Sequence, residues 1–371
     1  MDTLQPVMAD QFVESLRTAL DRALGWLTYP RKPEEYFAAL APRHFGPLRA
    51  EIIALEPHFD GCATLVLRTD KRFVAHKPGQ FVALTLEIDG VRRTRCFSIS
   101  SAPRSARGPR VIELTIKSTA RGTVTPRLVH PSIVGTTVEL SPPRGSFVLD
   151  DELPPRLLFI TGGSGITPVI SMLRALDQKA IREGAPGAKG TLLHFAKSER
   201  EALFLDELKQ MPWLDLHLVT EEALGRMPSL DEASLAAVVS DFEDTRAYAC
   251  GPAPLLKAVE AAFAARGAPG ALTIERFQSA FDSGGEGEGK GTVHFARSNK
   301  TVNDHRTLLV VAEEQGLEPK SGCRMGICGT CHCKKLSGAT RDLRTGEVST
   351  EANVDIALCS TVAIGDVSID L

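Results

Sequence analysis

Four cysteines near the end of this chain have the spacing of an electron-carrying site. Cys323, Cys328 and Cys331 stand in C-x4-C-x2-C order (CRMGICGTC), and Cys359 follows after twenty-seven further residues. That is the plant-type ligand spacing of a [2Fe–2S] cluster, which carries one electron at a time. Three thiolates must converge from a single tight loop, and Gly322, Gly326 and Gly329 give its backbone the needed freedom. The fourth ligand comes from a distant segment and closes the cage. A C-x2-C pair alone would fit zinc or thiol redox chemistry equally well. A tetrahedral zinc site is the alternative for the whole set, although zinc ligands usually come as two separated pairs. Cys333 lies just beyond the loop and is spare in this pattern, an ordinary small residue.

Two other stretches suit phosphate chemistry. Thr161–Pro168 (TGGSGITP) follows the apolar run Leu157–Ile160 and opens a helix. Its glycines let backbone approach a pyrophosphate, and the helix N-terminus offers free N–H groups and a favourable dipole. The plain alternative is a tight strand-to-helix turn. A second loop, Ala249-Cys250-Gly251-Pro252, ends a later strand and again opens a helix. In a parallel sheet both loops reach the carboxyl edge, where ligands bind. A third group lies in a β-rich region. Arg95 can pair with a phosphate, Phe97 can stack on a flat ring and Ser98 can hydrogen-bond. Gly122, Thr123, Val124 and Thr125 follow at a turn, and Pro78-Gly79-Gln80-Phe81 precedes a strand expected beside them.

The elements that must position these groups fall into blocks. Residues 1–48 read as a helical extension, with Phe12, Leu16, Leu20, Ala23 and Leu27 at helical spacing. Such a helix either packs on the neighbouring domain or docks on a partner or membrane surface. Residues 49–152 contain short β-rich runs broken by Gly, Pro and Asp, which suggests an antiparallel barrel. Residues 153–280 alternate strands with helices, which implies a parallel sheet. Residues 281–291 (FDSGGEGEGKG) read as a flexible tether. Residues 292–371 hold all four cluster cysteines, with strand candidates at Thr292–Ala296 and Val367–Leu371 and a helix near Asp304–Glu314. The expected fold is therefore multidomain: antiparallel β-barrel, α/β parallel-sheet domain and a small α+β module.

Composition narrows the function classes. The 371 residues carry 43 Lys and Arg against 46 Asp and Glu, a net charge of −3, with no basic stripe for nucleic acid. The N-terminus MDTLQPVMAD lacks a basic region before an apolar core, and no apolar run reaches the ~18 residues that would cross a bilayer. The cysteines outside the cluster set, Cys62, Cys96, Cys250 and Cys333, form no paired framework, so the expectation is a reducing cytoplasm.

Taken together, the motifs resemble the ferredoxin-NADP+ reductase superfamily over about residues 49–371. The order flavin barrel, nucleotide domain, C-terminal plant-type ferredoxin resembles the reductase components of oxygenases and of bacterial acyl-CoA desaturases. The resemblance implies a β-grasp fold for the last module. It implies that Arg95, Phe97 and Ser98 hold a flavin, that Thr115, Ile116 and Lys117 line it, and that Gly122 to Thr125 hold its phosphates. It places a nicotinamide nucleotide on Gly162, Gly163, Gly165 and Thr167, with Cys250 and Gly251 beside its reactive ring. Glu275-Arg276-Phe277 matches an acidic-x-aromatic element that approaches the flavin in relatives. Phe97 departs from the usual Tyr; it keeps the stacking face and loses the hydroxyl. FAD is favoured and FMN is the alternative.

The implied activity is electron transfer from NAD(P)H through flavin and cluster to an external acceptor. Cys250 and Glu275 are positioning candidates rather than nucleophiles. A redox sensor or a structural iron–sulfur subunit is the competing class, but neither needs a hydride donor. Glu221 and Glu222 after the third strand of the nucleotide domain would repel a 2′-phosphate, which favours NADH; Arg226, Lys197 and Arg200 argue for NADPH. The ferredoxin module, residues 291–371, has nine Lys and Arg against ten Asp and Glu, so its charge does not name the acceptor. The N-terminal extension favours a desaturase or related hydroxylase, with weak peripheral attachment through residues 1–28. A soluble ring-hydroxylating oxygenase is the runner-up.

Overall fold

The computed structural model describes residues 46–371, apart from 104–106, 109, 119–123, 184–188, 226–229, 278–290, 305, 323–325, 327, 328 and 344. The helix expected at Phe12–Leu27 lies outside the described residues, as does the tether except for Gly291.

The first sheet contains β1 (Leu48–Phe59), β2 (Cys62–Thr69), β3 (Phe81–Ile88), β4 (Val91–Ser98), β5 (Val111–Lys117) and β6 (Thr137–Leu140). Its strand order is β4-β3-β6-β1-β2-β5. The pairs β1–β2, β2–β5, β3–β4 and β3–β6 are antiparallel, as expected where hairpin turns join strands. Ser100 N–H donates to the Glu113 carbonyl, joining the end of β4 to β5 and rolling the two outer strands toward each other. The residues of the expected flavin motif sit on β4, with Ser98 opposite Phe81.

Beyond Pro155 the pattern changes to alternating strand and helix. Strands β7 (Arg156–Gly162), β8 (Lys189–Ala196), β9 (Leu214–Thr220), β10 (Arg246–Cys250) and β11 (Leu272–Glu275) form a parallel sheet in the order β11-β10-β7-β8-β9. Its central strands are apolar on both faces: Leu157, Leu158, Phe159 and Ile160 are all buried. Helix α1 (Ile166–Glu183) follows β7, and α2 (Ala253–Ala265) follows β10. Sequence periodicity predicts one helix over Glu201–Gln210. The structure instead has a short turn at Glu199–Glu201 and a helix only at Leu205–Lys209. Phe204 separates them with φ of 62°, a left-handed conformation costly for a bulky residue.

The last module has a mixed sheet, β13-β12-β19-β14-β17, and a small antiparallel sheet, β16-β15-β18. The strands are β12 (Thr292–Phe295), β13 (Lys300–Asn303), β14 (His332–Ser337), β15 (Thr340–Asp342), β16 (Val348–Ser349), β17 (Val354–Ala357), β18 (Thr361–Ala363) and β19 (Val367–Ile369). Helix α3 (Leu308–Glu314) begins four residues later than periodicity suggests, after Thr307. It buries Leu308, Leu309, Val311 and Ala312.

The cores are not three separate ones. Cys62 and Phe147 from the barrel side pack in one cluster with Phe159, Ile170, Leu173 and Tyr248 of the nucleotide domain. Tyr248 is fully buried, stacked on Phe159 at 5.7 Å and edge-on to Phe147 at 5.9 Å. Its hydroxyl accepts from Asp150 N–H at 3.1 Å, which pins the segment leading from one sheet to the other.

Candidate functional site

The two glycine-bearing loops of the nucleotide domain meet because β7 and β10 are neighbours, with Thr161 opposite Cys250. Their contact is backbone against backbone. A Cβ on Gly165 would sit 2.2 Å from the Cys250 carbonyl oxygen, and one on Gly162 would sit 2.7 Å from the Pro252 ring. Gly163 has a positive φ of 54°. A Cβ on Gly251 would meet Gly162 N at 3.0 Å. The result is a side-chain-free cradle at the carboxyl edge of a parallel sheet, opening onto the first turn of α1. Thr167 is buried in that turn and donates to the Ser164 carbonyl at 3.0 Å.

Cys250 and Glu275 are directly paired in register across β10 and β11. Burial pushes the Cys250 thiol well above its ordinary value, and the neighbouring Glu275 carboxylate pushes it further. Burial also raises the Glu275 carboxyl from 4.5 to about 8. Its Oε2 is buried without a hydrogen-bond partner among the described residues. Burial thus favours the protonated form of both groups, which speaks against a thiolate nucleophile here. Phe277, two residues on, packs against the shared core.

On the barrel, Ser98 is buried and its Oγ has no hydrogen-bond partner among the described residues. A buried hydroxyl without a partner is costly, so it suits a ligand that completes it. The same strand presents Arg95 and Phe97, both only partly buried. Thr115 has its hydroxyl already engaged, bonded to Thr64 Oγ1 at 2.8 Å and Ser100 Oγ at 3.0 Å. Ile116 is buried. Lys117 Nζ lies 5.3 Å from the ring centre of Phe59 on the barrel's β1 and reaches the other domain by donating to Glu201 Oε2 at 2.8 Å. Val124 is buried and Thr125 begins a short helix, Thr125–Leu128; Gly122 and Thr123 lie outside the described residues.

In the last module Cys331 and Cys359 are buried, and Gly326 N–H donates to Cys359 Sγ at 3.0 Å. An amide aimed at a buried sulfur stabilises thiolate character, as a cluster ligand requires. Gly326 and Gly329 both have φ above 70°, so the loop turns where its glycines permit. Cys323 and Cys328 lie outside the described residues. Cys333 is partly buried and donates to the Asp370 carbonyl, a structural role.

Several residues of this region give no sequence signal. Arg174 on α1 joins the two domains through Glu113 and Ser100 on the barrel side. His194 is buried beside the nucleotide turn, its Nδ1 2.8 Å from Thr161 Oγ1, and burial drives it down to about 4. Both read as ordinary helix and strand residues until the fold brings them into place.

Comparison with known proteins places this arrangement. An oxidoreductase FAD-binding domain model matches residues 62–149, an oxidoreductase NAD-binding domain model matches 159–261, and a 2Fe-2S iron-sulfur cluster binding domain model matches 293–363. A Mycobacterium tuberculosis protein named NADPH oxidoreductase is 32% identical over 100% of this chain and 97% of its own length. The chain belongs to the ferredoxin-NADP+ reductase superfamily. Within that superfamily it has the form that carries a C-terminal [2Fe–2S] ferredoxin domain. A glycine betaine monooxygenase reductase subunit from Chromohalobacter salexigens is 30% identical over 77% of this chain and 84% of its own length. The solved phthalate dioxygenase reductase superposes with a TM-score of 0.56 at 22% identity, covering 89% of this chain and 99% of that one, and shows the shared fold. The superfamily member is an oxidoreductase with FAD, NAD(H) and [2Fe–2S] domains in one polypeptide. Among the described residues no helix is long and apolar enough to cross a membrane.

Proposed function

We propose that this chain oxidises NADH and passes the electrons through FAD and a [2Fe–2S] cluster to a non-haem iron partner, a desaturase or related hydroxylase. The observation that carries the electron path is the interlocked nucleotide cradle, whose sheet shares one core with Cys62 and Phe147 of the barrel domain, the domain that bears the unpartnered Ser98 hydroxyl. A bound flavin would supply two-electron hydride chemistry and a bound cluster one-electron transfer. Arg95, Phe97 and Ser98 hold the flavin, with Lys117, Val124 and Thr125 at its margins. Gly162, Gly163, Gly165, Thr167 and Gly251 hold the nucleotide, and Cys323, Cys328, Cys331 and Cys359 hold the cluster. Cys250 and Glu275, paired across β10 and β11, are positioning residues beside the reacting ring and not nucleophiles. The functional modules divide near residues 152 and 281–291.

Two observations bear on the acceptor. The relative matched along this entire chain, N-terminal segment included, carries a general reductase name, whereas the monooxygenase reductase subunit matches 77% of it. An extra segment suits an acceptor that needs docking, and residues 1–28 are the proposed element for weak attachment at a membrane surface. The second reading, a soluble oxygenase, is favoured by the names of the relatives that match 77% and 72% of the chain, reductases of glycine betaine and 3-ketosteroid monooxygenases.

For the nucleotide, Glu221 and Glu222 open a short helix directly after β9, and Glu222 N–H donates to the Lys197 carbonyl after β8. Two carboxylates there disfavour a 2′-phosphate, and NADH is the proposed donor. Lys197 and Arg200 on the facing loop, with the name of the full-length relative, favour NADPH.

The test supplies the purified protein with each nucleotide and then with each acceptor. A kcat/KM higher for NADH supports the donor assignment, and a clear NADPH preference overturns it. Product formation with a di-iron desaturase in phosphatidylcholine vesicles, lost on deletion of residues 1–28 while ferricyanide reduction persists, supports the acceptor. Turnover only with a soluble ring-hydroxylating oxygenase refutes it.

A further inference from the structure

We propose that Arg174 is a positioning residue for hydride transfer, an ionic clamp that sets the nucleotide-bearing helix against the strand end that follows the flavin motif. Its guanidinium makes four hydrogen bonds to two domains. On its own side, Nε and Nη2 grip both oxygens of Glu207 at 2.7 Å. On the barrel side, Nη1 donates to Glu113 Oε2 at 2.8 Å and to the Ser100 carbonyl at 2.9 Å. Its guanidinium carbon lies over the Phe204 ring, 5.1 Å from the ring centre, and Phe204 has the left-handed φ of 62°.

The clamp's place matters more than its strength. Arg174 lies on α1 eight residues after Ile166, about 12 Å along the helix from the turn that receives the nucleotide. Ser100 lies two residues beyond Ser98. Ser171, one turn earlier on α1, donates to the next carbonyl, Ser101, at 2.7 Å. A single rigid helix thus carries the nucleotide cradle at its start and registers itself on the flavin strand by its next two turns. Reacting atoms in such a transfer must meet at ~3–3.5 Å, and a misplacement of about 1 Å can cost about 100-fold in rate. A planar five-donor group that reads two carboxylates and a carbonyl fixes both distance and angle.

Removing the guanidinium also leaves Glu113 and Glu207 without the cation that joins them. Arg107 still pairs with Glu113 at 2.7 Å, so the barrel side keeps part of its compensation. Glu207 loses its bidentate partner, and the two carboxylates now repel across the junction. The junction should loosen there while the flavin and nucleotide contacts themselves stay intact.

The proposal rests on the flavin and nucleotide sites given above, and the experiment separates the two. Arg174→Met and Arg174→Lys are prepared as full-length holoprotein, with Glu113→Gln added to Arg174→Met. Flavin reduction is followed by rapid mixing with NADH, together with flavin content, NAD+ affinity and amide hydrogen exchange. We expect Arg174→Met to reduce its flavin roughly 10- to 100-fold more slowly, with flavin content and NAD+ affinity close to wild type. Amides in α1 and residues 99–101 should exchange faster. Arg174→Lys should keep an intermediate rate, and Glu113→Gln should recover part of the loss by removing the repulsion. A reduction rate and exchange pattern like wild type in Arg174→Met would overturn the clamp. So would a loss of flavin or of NAD+ affinity, which would make Arg174 a binding or folding residue. Absence of NADH-driven flavin reduction in the wild-type protein would instead sink the underlying site assignment.

Discussion

The core between the barrel and the nucleotide sheet is drawn from both, whereas the ferredoxin module's core cluster is drawn wholly from residues 293–369. In the first, Phe147 and Cys62 pack with Phe159 and Tyr248, and Arg174, Ser171 and Lys117 add polar ties. In the second, α3 and β12, β17, β18 and β19 enclose Cys331 and Cys359, with no earlier residue among those described taking part. The difference matches the chemistry. Hydride transfer needs two ligands in direct contact, so their binding domains are fused. Single electrons cross gaps, so a module with a core of its own suffices.

The comparison breaks most sharply at the cluster. Cys328→Ser is expected to abolish electron delivery to the iron partner while flavin content and ferricyanide reduction by the nucleotide persist. Iron and flavin analysis with the two acceptor assays checks this, and joint loss of iron and flavin would show that the modules do not fold separately. A more graded contrast comes from large core residues. Phe147→Ala and Phe295→Ala should each cost about 3–5 kcal/mol, the usual effect of emptying a buried aromatic position. They should act on different halves. Phe147→Ala should lower flavin retention and leave the cluster absorbance, and Phe295→Ala should do the reverse; denaturant unfolding followed at each chromophore reads the two separately.

The smallest effect concerns Glu275. Its folded-state carboxyl is raised from 4.5 to about 8 by burial, so the folded protein holds a proton that the unfolded chain releases in that interval. Stability must then fall as pH rises from about 4.5 to about 8, and level off above. Glu275→Gln removes the dependence. In protein stripped of flavin, its melting temperature should exceed wild type by a margin that grows across that window and disappears below it. The gain should appear in the barrel–nucleotide transition and not in that of the ferredoxin module. A constant margin at all pH values would rule out the buried carboxylic acid.

Much of this contrast was legible in the chain itself. The cysteine spacing and the glycine-rich 281–291 segment set the last module apart, because thiolate geometry and tether composition are local properties. Strands β5 and β6 fall where their β-rich runs predict, at Val111–Lys117 and Thr137–Leu140. The helix expected over Glu201–Gln210 breaks at Phe204, whose ring lies against Arg174, thirty residues away in sequence. Most strands of the ferredoxin module between β12 and β19 gave no signal, being two to six residues long with mixed polarity. Arg174 and Glu113 were invisible for a related reason. An arginine on an amphipathic helix and a glutamate on a strand acquire their meaning only when two domains face each other.

The backbone interlock of the two nucleotide loops has a consequence for redesign. Gly162, Gly165 and Gly251 press on main chain or on Pro252, so a side chain at any of them acts as a wedge between β7 and β10. These positions are closed to tuning. On the proposed reading, nucleotide preference is set instead at the outer strand ends, at Lys197 to Arg200 after β8 and at Glu221 and Glu222 in the short helix after β9.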